Sequence, residues 1–202
     1  RDGVSTETGL LTEWPKDGPK LLWATKGAGR GYASPAIAGG KIFTMGDSLS
    51  SAEDKDEYAT CFEAASGKPL WKSKLGPAWN NGSESWQGSR STPTVDGELI
   101  YYMTPQGNLV CLQTSDGKEI WRKSMSKDFD GGKRDSWGFS ESPLIDGDHV
   151  VVTPGKEKHT MVALNKKTGE LVWSTPVKDD AGAGHSSIVI SEVAGTRIYV
   201  QT

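Results

Sequence analysis

The chain has 202 residues, 35% hydrophobic and 24% charged, with 23 basic and 26 acidic residues and a formal net charge of −3. This is an ordinary globular composition, long enough to bury a core in one or two domains. The charge is balanced without a basic stripe and the apolar runs are only strand-sized, so we expect no nucleic-acid partner and no membrane span.

The two ends of the chain predict a piece of a longer protein. It begins with RDGVSTETG, without a methionine or an apolar signal core, and ends with RIYVQT, inside a strand-like run. An export signal would then lie outside this sequence. Residues 1–18 are predicted as an N-terminal extension, and residues 19–26 as one ring-closing strand.

Residues 32–75 predict the first unit of four short antiparallel strands joined by turns. Gly39 and Gly40 mark a two-residue type I′ hairpin, in which both central positions need a positive φ. The acidic stretch DSLSSAEDKDEY then joins the second and third strands. This stretch is either a solvated loop or, because its side chains carry many oxygen atoms, a Ca²⁺ site. Its spacing fits no defined calcium loop. The weak metal candidates are Asp47, Asp54 and Asp56.

The same four-strand pattern returns in residues 90–125 and 140–177, and residues 185–202 begin a fourth unit. Asp96-Gly97 and Asp146-Gly147 predict type I′ hairpins in the second and third units. A proline stands at the start of each of the first three units, where a missing N–H is tolerated. These prolines are Pro35, Pro93 and Pro143.

A Gly-x-x-x-Trp motif recurs about every fifty residues, on the fourth strand of each unit. Four-stranded units repeated at this period predict an all-β fold, a β-propeller with about three and a half blades present. The glycine permits a positive φ in a turn, and the tryptophan is expected to fill the wedge between blades. The pairs are Gly67 and Trp71, Gly117 and Trp121, and Gly169 and Trp173.

The number of blades is compatible with two forms of the ring. The blades present are half of a ring of seven or eight, or the chain closes as a four-bladed ring with a defective last blade; we favour the half ring.

Cys61 and Cys111 occupy equivalent positions of the repeat, and the third unit has Ala163 at that position. We expect small buried side chains there rather than a disulfide.

The repeat ALNKKTGELVW resembles the PQQ-like repeats of quinoprotein alcohol dehydrogenases and of the propeller lipoprotein of the outer-membrane barrel-assembly machine. More narrowly, GYASPAIAGGKIFTMGD and WGFSESPLIDGDHVVVTPG are similar to PQQ-binding-like propeller proteins of planctomycetes. The resemblance implies export to the periplasm or the cell exterior. For a dehydrogenase it also implies PQQ, Ca²⁺ and an adjacent Cys-Cys pair. This sequence has no Cys-Cys pair and no C-x-x-C-H haem motif, so no cofactor is expected, with PQQ and Ca²⁺ as the alternative.

The loops between the fourth strand of one unit and the first strand of the next are long and polar. We expect them to open on one face at the central axis, where a rigid scaffold commonly presents function. A ring of aromatic and charged groups there would bind a small polar ligand, a sugar or a peptide, unless the rings only pack the loops down. The candidates are Tyr32, Trp86, Arg90, Trp137, Glu141 and His185.

The resulting functional hypothesis is a non-catalytic, exported scaffold that binds a protein or polymer through this loop face. The alternative is a PQQ- and Ca²⁺-dependent oxidoreductase, and an envelope-assembly scaffold is a third option, because propellers host all of these. Open blade faces also predict self-association of the chain.

Overall fold

The computed structural model describes residues 6–48, 55–80 and 87–202. These residues form three four-stranded antiparallel sheets and one two-stranded sheet, each with its strands in chain order. We name the four-stranded sheets blades 1, 2 and 3, and the two-stranded sheet the half-blade. This confirms the predicted all-β propeller architecture with three blades and the start of a fourth.

Each blade is formed from strands that follow one another along the chain. Blade 1 contains β1 (Ala36–Ala38), β2 (Lys41–Asp47), β3 (Asp56–Glu63) and β4 (Pro69–Pro77). Blade 2 contains β5 (Thr94–Asp96), β6 (Leu99–Met103), β7 (Asn108–Gln113) and β8 (Glu119–Ser124). Blade 3 contains β9 (Leu144–Asp146), β10 (His149–Val152), β11 (Met161–Asn165) and β12 (Leu171–Thr175). The half-blade contains β13 (Val189–Val193) and β14 (Thr196–Val200).

The central strands are buried on both faces because successive side chains point into different blade interfaces. In β6, Tyr101 and Met103 pack into the core shared with blade 3, whereas Ile100 and Tyr102 pack into the core shared with blade 1. This is why the sequence shows apolar runs there instead of a polar and apolar alternation. The hydrophobic core is therefore a series of layers between blades.

The cysteines lie in different layers, which explains why both are free. Cys61 is buried between blades 1 and 2, and Cys111 is buried between blades 2 and 3. Each lies directly opposite a repeat tryptophan, Trp71 or Trp121, on the neighbouring strand. The prediction of small buried side chains in one repeat slot is confirmed.

The repeat tryptophans join neighbouring blades, as predicted, and their partner is the motif glycine of the next blade. A Cβ on Gly117 would lie 2.6 Å from the ring of Trp71, and one on Gly169 would lie 2.8 Å from Trp121. Each indole N–H also donates to a turn carbonyl of the next blade: Trp71 to Thr114 at 3.2 Å and Trp121 to Lys166 at 3.0 Å. The glycine thus provides both a positive φ and room for an indole.

The predicted ring-closing strand is not formed, since residues 19–26 contain no strand. Trp23 nevertheless makes the repeat contact. Its ring covers Gly67, where a Cβ would lie 2.4 Å away, and its N–H donates to the carbonyl of Ala64 at 3.0 Å. The Trp23 side chain, rather than backbone pairing between strands, therefore attaches this segment to blade 1.

Two of the predicted hairpin turns differ from the prediction by one residue. The loops after β5 and β9 have Gly97-Glu98 and Gly147-Asp148 at their centres, not Asp-Gly. Only the glycine of each pair has a positive φ, 58° in both cases. That is the pattern of a type II′ turn, with glycine first. The Gly39-Gly40 turn has two positive φ values and matches type I′.

A short helix that the sequence pattern does not predict follows blade 2. Helix α1 (Met125–Phe129) begins after Ser124, whose hydroxyl accepts from the Lys127 N–H at 3.3 Å. The Ser124 N–H in turn donates to the carboxylate of Asp128 at 2.7 Å. A five-residue helix is too short to show periodicity, so only this capping pattern signals it. None of the described segments, 6–48, 55–80 and 87–202, contains a helix with the length and hydropathy needed to cross a membrane.

Candidate functional site

The residues that lead into the first strand of each blade lie together at one end of the stacked blades. The first strands β1, β5 and β9 lie beside one another between blades. Their leading segments are tied by short hydrogen bonds: the Thr92 N–H donates to the Ser142 hydroxyl at 3.0 Å, and the Ser142 N–H to the Ser187 hydroxyl at 2.9 Å. We call this end the loop face, formed by residues 27–32, 78–80, 87–92, 130–142 and 178–187.

Arg90 is the centre of an aromatic cluster on the loop face. Its guanidinium lies 4.8 Å from the ring centroid of Trp79 and 5.8 Å from those of Tyr32 and Trp137. It also donates to the backbone carbonyl of Trp137 at 3.2 Å. Burial lowers the pKa of Arg90, although nearby Tyr32 opposes this effect. Stacking on aromatic faces thus holds a partly desolvated cation in a fixed position.

Two rings of this cluster remain open to solvent. Tyr32 is 55% exposed and Trp137 is 42% exposed. The structure therefore brings three predicted residues, Tyr32, Arg90 and Trp137, into one surface. Trp79 completes the cluster. It was not among the residues predicted from the sequence, because it lies only just beyond β4 in a long loop without a repeated pattern.

His185 lies in a second cluster on the same face, connected to the first through the loop that carries Trp137. The His185 Nδ1 is 2.9 Å from the Ser140 hydroxyl, and its Nε2 is 2.8 Å from a carboxylate oxygen of Asp135. The other oxygen of Asp135 accepts from the Trp137 N–H at 2.9 Å. Neither Ser140 nor Asp135 was predicted from the sequence. Ser140 could have been found, because it stands three residues before Pro143, as Arg90 does before Pro93.

Lys133 is the fourth member of the His185 cluster. Its ammonium donates to the carbonyl of Gly184 at 2.6 Å and lies 3.4 Å from His185 Nδ1. Burial lowers the pKa of Lys133, while the acidic groups of Asp135 and Glu141 oppose that shift. A cation and a hydrogen-bonded imidazole therefore stand side by side at the surface.

Glu141 does not lie on the exposed surface, because it is one position nearer to its proline than Tyr32, Arg90 and His185 are to their equivalents. Successive side chains alternate in direction, so Glu141 points inward and is 3% exposed. One carboxylate oxygen accepts from the Thr153 N–H at 2.5 Å, and the other has no partner among the described residues. Burial raises the pKa of Glu141 to about 7.

The remaining candidates are placed as follows. Asp47 is buried and accepts two hydrogen bonds from the Arg30 guanidinium, at 2.9 and 3.2 Å. Asp56 pairs with the Lys74 ammonium at 2.5 Å. Asp54 and Trp86 lie outside the described residues. Within residues 6–48, 55–80 and 87–202, no three His, Cys, Asp or Glu side chains come together as a metal site.

The described residues also do not fit PQQ as a resident cofactor. No three carboxylates of the described residues come together as oxygen ligands for Ca²⁺. The two cysteines are buried in separate layers, so they supply no adjacent pair. What the loop face presents is stacking surface, a guanidinium and a hydrogen-bonded imidazole.

Comparisons with solved structures show the same fold. Quinohemoprotein alcohol dehydrogenase ADHIIG from Pseudomonas putida HK5 is 17% identical with a TM-score of 0.58, over 78% of this chain and 22% of that chain. BamB from Moraxella catarrhalis is 15% identical with a TM-score of 0.56, over 89% of this chain and 46% of that chain. The computationally designed Ika4 protein is 12% identical with a TM-score of 0.51, over 91% of this chain and 98% of that chain.

The chain thus spans less than half the length of the dehydrogenase and of BamB. At these identities the likeness concerns the fold alone. A search of curated proteins gave no match. The family model described as outer membrane protein assembly factor BamB matches residues 55–202, well over half of the sequence. The chain therefore belongs to that family of PQQ-like propellers.

Proposed function

We propose that this chain is part of an exported binding scaffold that holds a protein partner through its loop face. The observation that carries the proposal is the Arg90 cluster, in which one guanidinium lies against three aromatic rings. Tryptophan, tyrosine and arginine are the residues that dominate binding energy in protein interfaces.

The cluster has the geometry of a binding surface formed in advance. Stacking and the carbonyl of Trp137 fix the Arg90 side chain, so little conformational entropy remains to be lost on binding. The exposed faces of Tyr32 and Trp137 provide apolar area beside that charge. The family description supports envelope assembly as the setting and a protein as the class of partner.

The first test is site-specific photo-crosslinking of the full-length protein in its native host. A photoreactive amino acid at position 137 is expected to give a discrete protein adduct. The same group at position 120, an exposed rim position on the outer strand β8, is the control and is expected to give none. Equal adducts from both positions, or none from 137, would contradict the proposal.

The second test measures the contribution of Arg90 to the captured complex. Arg90→Ala is expected to weaken the purified complex tenfold or more, since it removes the centre of the cluster. Arg90→Lys keeps the charge but loses the planar stacking, and we expect an intermediate loss. Thermal unfolding of both variants controls for folding, and an unchanged affinity in folded Arg90→Ala would exclude this cluster as the site.

Quinone-dependent oxidation is the competing activity, and calorimetry separates it from binding. PQQ with Ca²⁺ is titrated into the full-length protein, and we expect no binding heat. Micromolar binding that is lost in Arg90→Ala would favour the dehydrogenase alternative.

A further inference from the structure

The cluster around His185 carries an inference that goes beyond partner binding. Ser140, His185 and Asp135 form a continuous chain from hydroxyl to imidazole to carboxylate, with contacts of 2.9 and 2.8 Å. Both distances lie within the reach required between a nucleophile, its base and the group that orients the base. The three side chains come from two loops, which only the adjacent placement of blade 3 and the half-blade brings together.

The hydrogen-bond pattern selects the tautomer that a base requires. The Asp135 carboxylate can only accept, so His185 Nε2 carries the proton and donates to it. Nδ1 is then left with a lone pair that faces the Ser140 hydroxyl. Among the described residues, the hydroxyl also reaches the His185 carbonyl, but at the longer distance of 3.3 Å.

The negative charge of Asp135 supports this role. Burial acts to raise the pKa of Asp135, but the Trp137 N–H, His185 and Lys133 together hold it below its ordinary value. The carboxylate is therefore ionised at neutral pH and stabilises an imidazolium when it forms. Lys133 Nζ lies 3.4 Å from Nδ1, where its charge opposes protonation of the imidazole, whereas the Asp135 carboxylate at Nε2 favours it.

We propose that Ser140, His185 and Asp135 form a nucleophilic triad that hydrolyses small carboxylic esters at the loop face. This departs from the expectation of a non-catalytic scaffold and is independent of which partner the Arg90 cluster binds. The site is open, with 45% of the His185 side chain and 33% of the Asp135 side chain exposed.

The reaction needs no oxidant or cofactor. The Ser140 Oγ attacks the acyl carbon while its proton moves to His185 Nδ1, and the alcohol leaves with that proton. Water then attacks the Ser140 ester and gives its proton to Nδ1. The carboxylic acid departs as the proton returns to the Ser140 Oγ, which restores the starting state.

The test combines covalent labelling with turnover, because an exposed imidazole alone also hydrolyses activated esters. The full-length protein is treated with a fluorophosphonate, and the modified residue is found by peptide mass spectrometry. Label on Ser140 is expected, with loss of the label in His185→Gln and no change in Ser126→Ala, an exposed serine in α1. No label on Ser140, or label equally distributed among serines, would overturn the proposal.

Hydrolysis of p-nitrophenyl acetate provides the second readout. Ser140→Ala and His185→Gln are each expected to reduce kcat/KM about a hundredfold or more, and Asp135→Asn to reduce kcat more than it raises KM. Turnover that survives in Ser140→Ala but falls in His185→Gln would show imidazole catalysis without a serine nucleophile, and would also overturn it. Neither outcome affects the crosslinking test of partner binding.

Discussion

Single glycines control how closely neighbouring blades approach. Gly169 has a φ of 73°, and the ring of Trp121 occupies the space where a side chain would begin. Gly39 has a φ of 55° in the open type I′ turn of blade 1, where a Cβ would meet no neighbouring atom within 4 Å. The two positions therefore separate the cost of backbone conformation from the cost of displacing an indole.

We predict that Gly39→Ala lowers the free energy of unfolding by about 1 kcal/mol, the usual cost of a left-handed conformation for a residue with a Cβ. Gly169→Ala is expected to cost at least about 2 kcal/mol, because Trp121 must also move. Urea denaturation followed by tryptophan fluorescence measures both. Equal losses would show that the Trp121 contact adds nothing to blade packing.

Two buried glutamates are another residue-scale feature with a measurable effect. Burial raises the pKa of Glu57 and of Glu141 to about 7 each. Glu57 accepts from the Ser89 hydroxyl, and each carboxyl has one oxygen without a partner among the described residues. Both groups bind a proton more tightly in the folded protein than in the unfolded chain, where the carboxyl pKa is near its ordinary value of 4.5.

Stability is therefore expected to fall as the pH rises from about 4.5 to about 7, since the folded state holds protons that the unfolded state has released. The contribution is fully present below this range. For Glu141 the full effect is about 3 kcal/mol. Urea denaturation at pH 5 and pH 8 should show this loss in the parent protein and a smaller loss in Glu141→Gln. An equal loss in both would exclude Glu141 as a source.

At the scale of elements, the segments before the first strands link the blades near the axis. The Ser142 hydroxyl accepts from Thr92 of blade 2, and the Thr94 hydroxyl donates to the Pro143 carbonyl at 2.6 Å. The Ser/Thr-Pro pattern thus has two roles. Proline removes a donor at a strand start, and the hydroxyl supplies an acceptor to the neighbouring blade.

Ser142→Ala is predicted to lower the free energy of unfolding by about 1 kcal/mol, because it removes the acceptor of the Thr92 N–H. Ser126→Ala, on the exposed helix α1, should change it by less than about 0.5 kcal/mol. Chemical denaturation of the two variants provides the comparison. If Ser126→Ala cost as much as Ser142→Ala, the blade link would carry no particular stability.

At the scale of the whole molecule, large apolar side chains stand open to solvent near the first blade. Leu21 is 77% exposed and Leu22 is 80% exposed, and Leu10, Leu11 and Trp14 are each more than 60% exposed. Large apolar side chains left open to solvent are typical of interaction surfaces when they lie together. They support the predicted self-association of the chain.

Light scattering at tens of micromolar is expected to give a mass above that of the 21.7 kDa chain. The double change Leu21→Ser and Leu22→Ser should lower the mass, whereas Ile120→Ser, at an exposed position on the outer strand β8, should not. A monomer at that concentration, before any change, would contradict the prediction of self-association.

The sequence by itself determined the blades of this protein. Gly-x-x-x-Trp, Ser/Thr-Pro and the Gly-containing turns are local signals that recur in successive units. Short stretches of sequence therefore predict the strands and the packing of Trp71 and Trp121 between blades. Trp23 shows the limit of this reasoning. Its motif predicts a strand, but no strand of the described residues pairs with it, and the indole contacts with Gly67 and Ala64 form instead.

The tertiary structure alone decided the contents of the loop face. Glu141 and Ser140 are adjacent in sequence, yet strand alternation buries the first and presents the second to His185. Asp135 is hydrogen-bonded to His185, fifty residues away in the sequence. Trp79 stacks with Arg90, although its part of the sequence has no repeated pattern. No local rule encodes such contacts, because they depend on how neighbouring blades stack and where their irregular loops fold back.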